Sequence, residues 1–287
     1  MKSLYDISAP AKLNLFLHIT GRRSDGYHLL QSAFMLIDWC DTLHFDLRLD
    51  GHISREDLGP PLPEVDLIIR AARALKTASN CALGVHIGID KRIPAQAGMG
   101  GGSSDAASTL LALNQLWKLD FSLSQLSQIG LELGADVPFF LGGYNAWVEG
   151  IGEKMTPIKL PPGQFLVVKP AEGLETKLIF SDTKLKRDSE TAIISGFAAD
   201  TFDFGQNDLQ SVAERLCPGV TQALNWLDSQ GLKGRMTGSG SAVFAHMLHH
   251  IDLKTAPSEF QIRLCNNLDS HPLLGWASID RLSVGNF

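Results

Sequence analysis

The 287-residue chain has 25 basic and 31 acidic side chains, a net charge of −6, and 44% hydrophobic against 20% charged residues. That balance describes a globular protein with a full core, in one large domain or two ordinary ones, and the lack of a basic block argues against a nucleic-acid surface. Met1 to Asp6 lacks the apolar stretch of a signal peptide, and no apolar run approaches the ~18 residues of a membrane span. Cys40, Cys81, Cys217 and Cys265 never form Cys-x-x-Cys, so the expectation is a cytoplasmic protein with small buried thiols and no cysteine metal site.

Residues 3–49 read as β-rich. Lys12 to Thr20 is an apolar strand, and Leu43, Phe45, Leu47 and Leu49 alternate with polar neighbours. The Gly59–Pro63 cluster breaks the chain; Leu67, Ile68, Ala71, Ala72 and Leu75 then predict a helix over about 65–78. Leu83 to Asp90 alternates as a strand, and Lys91-Arg92-Ile93-Pro94 ends it. A glycine-rich run follows. Ser103 or Ser104 stands ready to cap the next helix, whose apolar face would be Leu110, Leu111, Leu113 and Trp117. Ser122 caps a further helix that stops at Gly134. Tyr144 to Pro157 reads as a hairpin turning at Gly150-x-Gly152, and Pro161-Pro162-Gly163 as a domain seam. Beyond it the pattern predicts a strand over 165–169, helices near 206–216 and 219–230, a strand-turn-strand over 233–247, a helix near 257–268 and a last strand near 276–284. This irregular alternation is α+β rather than repeated βαβ.

The run Pro94-Ala95-Gln96-Ala97-Gly98-Met99-Gly100-Gly101-Gly102-Ser103-Ser104-Asp105 is the most telling segment. Its four glycines let backbone approach a ligand without Cβ clashes, and a helix start behind them aims unpaired N–H groups at one point. A nucleotide phosphate suits such a point; a plain capped turn would use fewer glycines. A Walker A loop is excluded because no lysine follows Gly102, and the Gly-x-Gly-x-x-Gly dinucleotide pattern fits from neither Gly98 nor Gly100.

Phosphoryl transfer also needs a group at the acceptor. Lys12 and Asn14, two apart on a strand, share a face, although a lysine at a strand start is commonly just solvated. Asp136, in Gly134-Ala135-Asp136-Val137-Pro138, is either the cap of the next helix or the acceptor of a substrate hydroxyl proton. Lys12 beside it would hold it ionised, since charges ~4 Å apart interact by roughly 4 kcal/mol at intermediate dielectric. Met236 to Phe244 is a hairpin turn or a backbone wall of the site. Ser24-Asp25-Gly26-Tyr27-His28 is a tight turn whose ring and imidazole either read a flat polar ligand or are incidental.

Together these segments resemble the small-molecule kinases of the galactokinase, homoserine kinase, mevalonate kinase and phosphomevalonate kinase superfamily. The resemblance rests on Pro10 to Leu15, on Gly98 to Ala107 and on Gly238-Ser239-Gly240. Gly21 to His28, Gly134 to Pro138, Asn207-Asp208-Leu209 and Thr237 to Gly240 narrow it to the branch that acts on CDP-methylerythritol, and the match spans nearly the whole chain. The resemblance implies a two-domain α+β small-molecule kinase fold with the active site in the interdomain cleft: residues 1–160 bind ATP and 161–287 bind the substrate. It implies ATP-dependent phosphorylation of the substrate's 2-hydroxyl, in isoprenoid-precursor synthesis by the non-mevalonate route. Asp136 and Lys12 would be catalytic. Pro94, Ala95, Gln96, Ala97, Gly98, Met99, Gly100, Gly101, Gly102, Ser103 and Ser104 would wrap the ATP phosphates, with Lys91 and Asp66 nearer the base. Asn14, Phe34 and Thr176 would hold the substrate, while Tyr27, His28 and Phe180 would enclose the cytosine. Mg²⁺ would accompany ATP, with Ser104 the candidate ligand. The partners would be these two small molecules, with neither nucleic acid nor membrane, for a monomer or weak homodimer. Gln96 replaces a small residue common in the run, and Asp66 an asparagine of some relatives. A homoserine or mevalonate kinase would not need Tyr27, His28 and Phe180, and a non-catalytic nucleotide sensor would not need Lys12 and Asp136.

Overall fold

Two long strands, β1 (Ser3–Arg22) and β2 (His28–Arg48), run antiparallel and organise everything around them. The computed structural model describes residues 2–279. The other edge of β2 is shared by two strands at different heights. Thr42–Arg48 pairs with β4 (Gly84–Asp90), which carries β3 (Ile53–Asp57) in parallel; Ser32–Phe34 pairs with β5 (Ala146–Glu149), which carries β6 (Lys154–Pro157). Four helices cover this first sheet: α1 (Leu67–Ser79), α2 (Gly101–Leu116), α3 (Leu123–Leu133) and α4 (Val137–Gly142). Their shared core includes Leu36, Phe45, Leu75, Ile87, Leu110 and Phe140.

A second, antiparallel sheet holds β7 (Gln164–Lys169), β8 (Arg235–Met236), β9 (Val243–His246) and β10 (Gln261–Asn266), in the order β10-β7-β9-β8. The period of two along β7 feeds two cores. Leu166 and Val168 meet the helices α7 (Gln210–Leu216) and α8 (Pro218–Ser229), while Phe165 and Val167 turn toward Leu13, Leu15 and Phe16 of β1. Short helices α5 (Thr176–Ser181) and α6 (Ile194–Ala199) lie on the connection between β7 and α7.

β1 therefore has protein on both sides, and this explains its nearly unbroken apolar sequence. Register shifts at Pro10/Ala11 and Asn14/Leu17 re-aim its side chains along the way. Ile7 and Ala9 enter the helix-covered core, Ala11 to Leu15 the core shared by both sheets, and Leu17 and Ile19 the core of the second sheet. Lys12 and Asn14 lie between the two shifts.

Most predicted elements are present, and three differ. The helix expected near 257–268 is strand β10, because β7, buried from Phe165 to Lys169, offers a ladder edge that outweighs local preference. Of the last strand expected near 276–284, only a single bridge between Ser278 and Ser122 occurs, and the part beyond 279 lies outside the described residues. Neither Ser103 nor Ser104 caps α2: Gly100 does, in the left-handed region at φ 69° and without a side-chain bond. Nor does α2 have one apolar face; it is buried nearly all round, from Ser104 to Leu116, between the sheet and its sister helices. By contrast Ser122 and Gln125 form a full capping box on α3, which stops at Gly134.

The two sheets meet tightly at one glycine. A Cβ on Gly98 would lie 2.2 Å from the Thr237 carbonyl oxygen and 2.8 Å from the Gly240 nitrogen, and its φ is +71°. Gly98→Ala should cost about 1–3 kcal/mol through strain and separation of these backbones. A urea melt reads the loss, and an unchanged midpoint would show that the contact is not tight in solution.

Candidate active site

Between the sheets lies a cleft of about 920 Å³, opened by the glycine-rich loop on one wall and by the turn Gly238–Gly240 on another. The loop is held from both sides. Lys12 N–H on β1 donates to the Met99 carbonyl at 3.0 Å, while Ser241 and Ala242 N–H donate to Gln96 and Ala97 at 3.0 and 3.3 Å. Gln96 itself takes a positive φ of 51°, and its side chain packs against Gly173. The N–H groups of Gly101, Gly102 and Ser103 precede the first bond of α2, which Ser104 donates to Gly100 at 2.9 Å. Those three donors and the positive helix end form an anion site. Gly100 is required for a second reason: a Cβ there would meet the Phe140 ring at 3.0 Å and Lys12 Cε at 3.4 Å.

Lys12 passes that glycine to reach Asp136, with Nζ 3.7 Å from a carboxylate oxygen. The ammonium also donates to Asn14 Oδ1 and sits 4.4 Å from the Phe34 ring centroid. Asn14 is fixed in turn, its backbone N–H donating to Thr237 Oγ1 and its amide to Ser32 Oγ, both at 2.9 Å. Burial pushes the Lys12 ammonium below its ordinary pKa, and Asp136 opposes that fall. Asp136 occupies the cap position of α4 but makes no capping bond. Its carboxylate is instead one-third exposed into the cleft that Gly98 to Ser103 also line. Of the two roles its sequence context allowed, the cap is the one the geometry rejects.

Lys91 also lines the cleft, but its ammonium is engaged by protein carboxylates. Its ammonium is clamped under the loop between Asp41 and Asp105, the latter at 2.6 Å. Burial alone would lower its pKa, but Asp105 and Asp41 raise it. Burial pushes the Asp105 carboxyl up to about 8, with Lys91 drawing it back and Asp41 adding to the rise. Asp41 also accepts the Arg92 and Ile93 N–H groups at 2.6 and 2.7 Å. Lys91 thus supports the loop from beneath, and nothing in the sequence marks its partner, which lies 50 residues away. Asp66 lines the cleft while capping α1 through Ile69 N–H at 3.0 Å and pairing with Arg55 at 2.9 Å. Ser103 faces the cleft; Ser104 is fully buried, and its hydroxyl has no partner.

At the far end the cleft continues into a groove of about 550 Å³ that shares Leu30, Ile151, Lys177 and Phe180 with it and adds Tyr27 and His28. The His28 and Phe180 rings lie 5.2 Å apart, and Tyr27 is exposed at the rim. Thr176 faces the cleft and hydrogen-bonds Ser239 across it at 2.7 Å. The structure therefore brings Lys12, Asn14, Phe34, Asp136, the glycine loop and Thr176 to one cleft, with Tyr27, His28 and Phe180 at its end. Asp41 and Arg187, which bonds His28, carry no motif and escaped the sequence reading.

Comparison with known proteins agrees with this geometry. Residues 66–144 match the family model "GHMP kinases N terminal domain" and residues 191–259 match "GHMP kinases C terminal". The chain is 79% identical, over 100% of both sequences, to a 4-diphosphocytidyl-2-C-methyl-D-erythritol kinase of Albidiferax ferrireducens (strain ATCC BAA-621 / DSM 15236 / T118). It is 64% identical to one of Acidovorax sp. (strain JS42), covering 96% of this chain and 99% of that one. A crystal structure of 4-(cytidine 5'-diphospho)-2C-methyl-D-erythritol kinase superimposes with a TM-score of 0.79 at 31% identity, over 92% of this chain and 98% of the other. The chain belongs to the GHMP kinases, and within them to the 4-diphosphocytidyl-2-C-methyl-D-erythritol kinase family. It is an ATP-dependent kinase. Among the described residues no helix is long and apolar enough to cross a membrane.

Removing the Lys91 charge leaves two buried carboxylates facing each other. Lys91→Met should therefore cost about 3–5 kcal/mol near pH 8. The pair then holds a proton in the folded state to higher pH than in the unfolded chain, so folding takes up protons and the loss shrinks as pH falls toward 5. Urea titrations at both pH values test this; an equal loss at each would show that the carboxylates are not coupled.

Proposed function

We propose that this cleft is where the chain transfers the γ-phosphoryl group of ATP to the 2-hydroxyl of 4-diphosphocytidyl-2-C-methyl-D-erythritol, giving the 2-phosphate and ADP. The observation that carries the reading is the Lys12–Asp136 pair, 3.7 Å apart, opening into the cleft that the glycine loop lines. The triphosphate lies against the N–H groups of Gly101, Gly102 and Ser103, with Pro94 to Gly100 shaping the wall beside it. Lys91 acts beneath, by fixing the loop. Asp66 closes the edge near the nucleotide base.

Asp136 orients the 2-hydroxyl and accepts its proton. An ordinary carboxylate is a weak base toward an alcohol, but in a loose phosphoryl transition state the proton leaves late, so aim matters more than basicity. Lys12 faces that carboxylate and draws the γ-phosphoryl oxygens, where negative charge is spread in the transition state. Asn14 fixes the Lys12 ammonium and offers its amide to the erythritol end; Phe34 forms the apolar floor, and Thr176 reaches the substrate from the second sheet. Mg²⁺ would accompany ATP and, when bound, would supply further neutralisation of phosphate charge. Ser104, the candidate ligand, has a hydroxyl without a partner but is fully buried and does not line the cleft, and among the described residues no acidic or histidine cluster would hold a metal unaided. Tyr27 and Phe180 stack on the cytosine, worth about 1–3 kcal/mol per ring, and His28 reads its edge.

The division of labour between sheets supports residues 1–160 as the ATP-binding unit and residues 161–287 as its partner, with the substrate gripped by side chains from both. Both substrates are small and water-soluble, in keeping with a cytoplasmic step of non-mevalonate isoprenoid-precursor synthesis.

ADP release should be seen with CDP-methylerythritol and not with homoserine, mevalonate or galactose; equal turnover of any of these would overturn the substrate assignment. Asp136→Asn should lower kcat about 10²–10⁴-fold while the KM for ATP changes little. Retained turnover would remove Asp136 from the chemistry.

A further inference from the structure

The reading of cytosine by His28 leaves open which ring nitrogen faces the base, and a side chain outside the cleft answers it. Arg187 Nε donates to His28 Nε2 at 3.0 Å. A guanidinium has donors only, so the nitrogen it meets must present a lone pair. A neutral imidazole in that position carries its proton on Nδ1. Among the described residues no hydrogen bond engages that Nδ1, and His28 lines the groove with Tyr27 and Phe180.

The guanidinium has no freedom to turn away. Its other nitrogens donate to Leu185 O at 2.9 Å, Asp182 O at 2.8 Å and Phe180 O at 3.3 Å. One planar group thus ties the start of β2, which carries His28, to the end of α5, which carries Phe180, and so holds the imidazole and the stacking ring in fixed relation.

We propose that Arg187 is a positioning residue that fixes His28 as an Nδ1–H donor and thereby selects cytosine over uracil. The inference rests on the cytidyl reading given above. Cytosine N3 is a bare acceptor, whereas uracil N3 carries a hydrogen. An Nδ1–H donor pairs with the first and meets the second donor to donor, which leaves two N–H groups facing each other unpaired. Were the proton on Nε2, the preference would reverse.

The charges around the ring favour its neutral form. Burial, Arg187 and Arg22 all disfavour protonation of His28. Asp25 also faces the groove but is paired with Arg23 at 2.7 Å, and Lys177 adds another positive charge on the opposite side.

The test compares kcat/KM for the CDP-linked substrate and its UDP-linked analogue in the native enzyme, Arg187→Met and Arg187→Lys, at pH 8 and pH 6. Native enzyme should prefer the cytidyl form at both. Arg187→Met should lose about tenfold or more of that preference at pH 8, where the freed imidazole can adopt either tautomer, and because burial and Arg22 still disfavour protonation the loss should remain at pH 6. Arg187→Lys should be intermediate, and the KM for ATP should stay near native in each. Ring ¹⁵N spectra of the native enzyme, assigned with His28→Gln, should show His28 protonated on Nδ1 alone. A preference that survives Arg187→Met at pH 8 with ATP binding intact overturns the role of Arg187 and leaves the cytidyl reading standing. Native enzyme indifferent to the base overturns both. Should Arg187→Met fail to fold, the native ¹⁵N spectrum decides, and an Nε2–H signal there refutes the proposal.

Discussion

The glycine loop works only because its backbone is pinned on two sides. Its carbonyls at Gln96 and Ala97 accept N–H groups from the second sheet's turn, and its Met99 carbonyl accepts one from β1. Each of those bonds exchanges a water contact for a protein contact and contributes modestly on its own. Together they stop a chain segment rich in glycine from sampling the many conformations open to it. With the loop fixed, the first amides of α2 are directed at one point without further ordering.

The electrostatic design follows the same geometry at two depths. At the cleft surface Lys12 meets one carboxylate that remains partly solvated, so the pair is available for chemistry. Beneath the loop Lys91 meets two buried carboxylates, and its charge is spent on holding the fold. Lys12 lies within β1 and Lys91 just past the end of β4. Burial and partner number separate their roles.

The groove proposed for the base is built from parts that share no secondary element. Tyr27 and His28 come from the turn into β2, Phe180 from α5, and Arg187 from the segment beyond it. Rings carry stacking without base selectivity, since every base has a π face. Selectivity therefore falls to the polar edge, and to whatever decides the protonation of the imidazole there.

Much of this was legible in the residues themselves. The glycine run, the Ser122 capping box and the helical spacing of Leu67 to Leu75 are local signals, because they depend on contacts within a few residues. The start of α2 was misplaced because Gly100 takes a left-handed conformation that makes a side-chain cap unnecessary, and β10 was misread because an edge of β7 recruits it. Sequence alone determined which residue types were on hand for phosphate, proton and base. Only the tertiary structure decided that Asp136 faces the cleft instead of capping its helix, that Lys91 turns to Asp41 and Asp105, and that Arg187 meets His28 across 159 positions. Such pairings depend on through-space distance, which the order of residues along a chain does not encode locally.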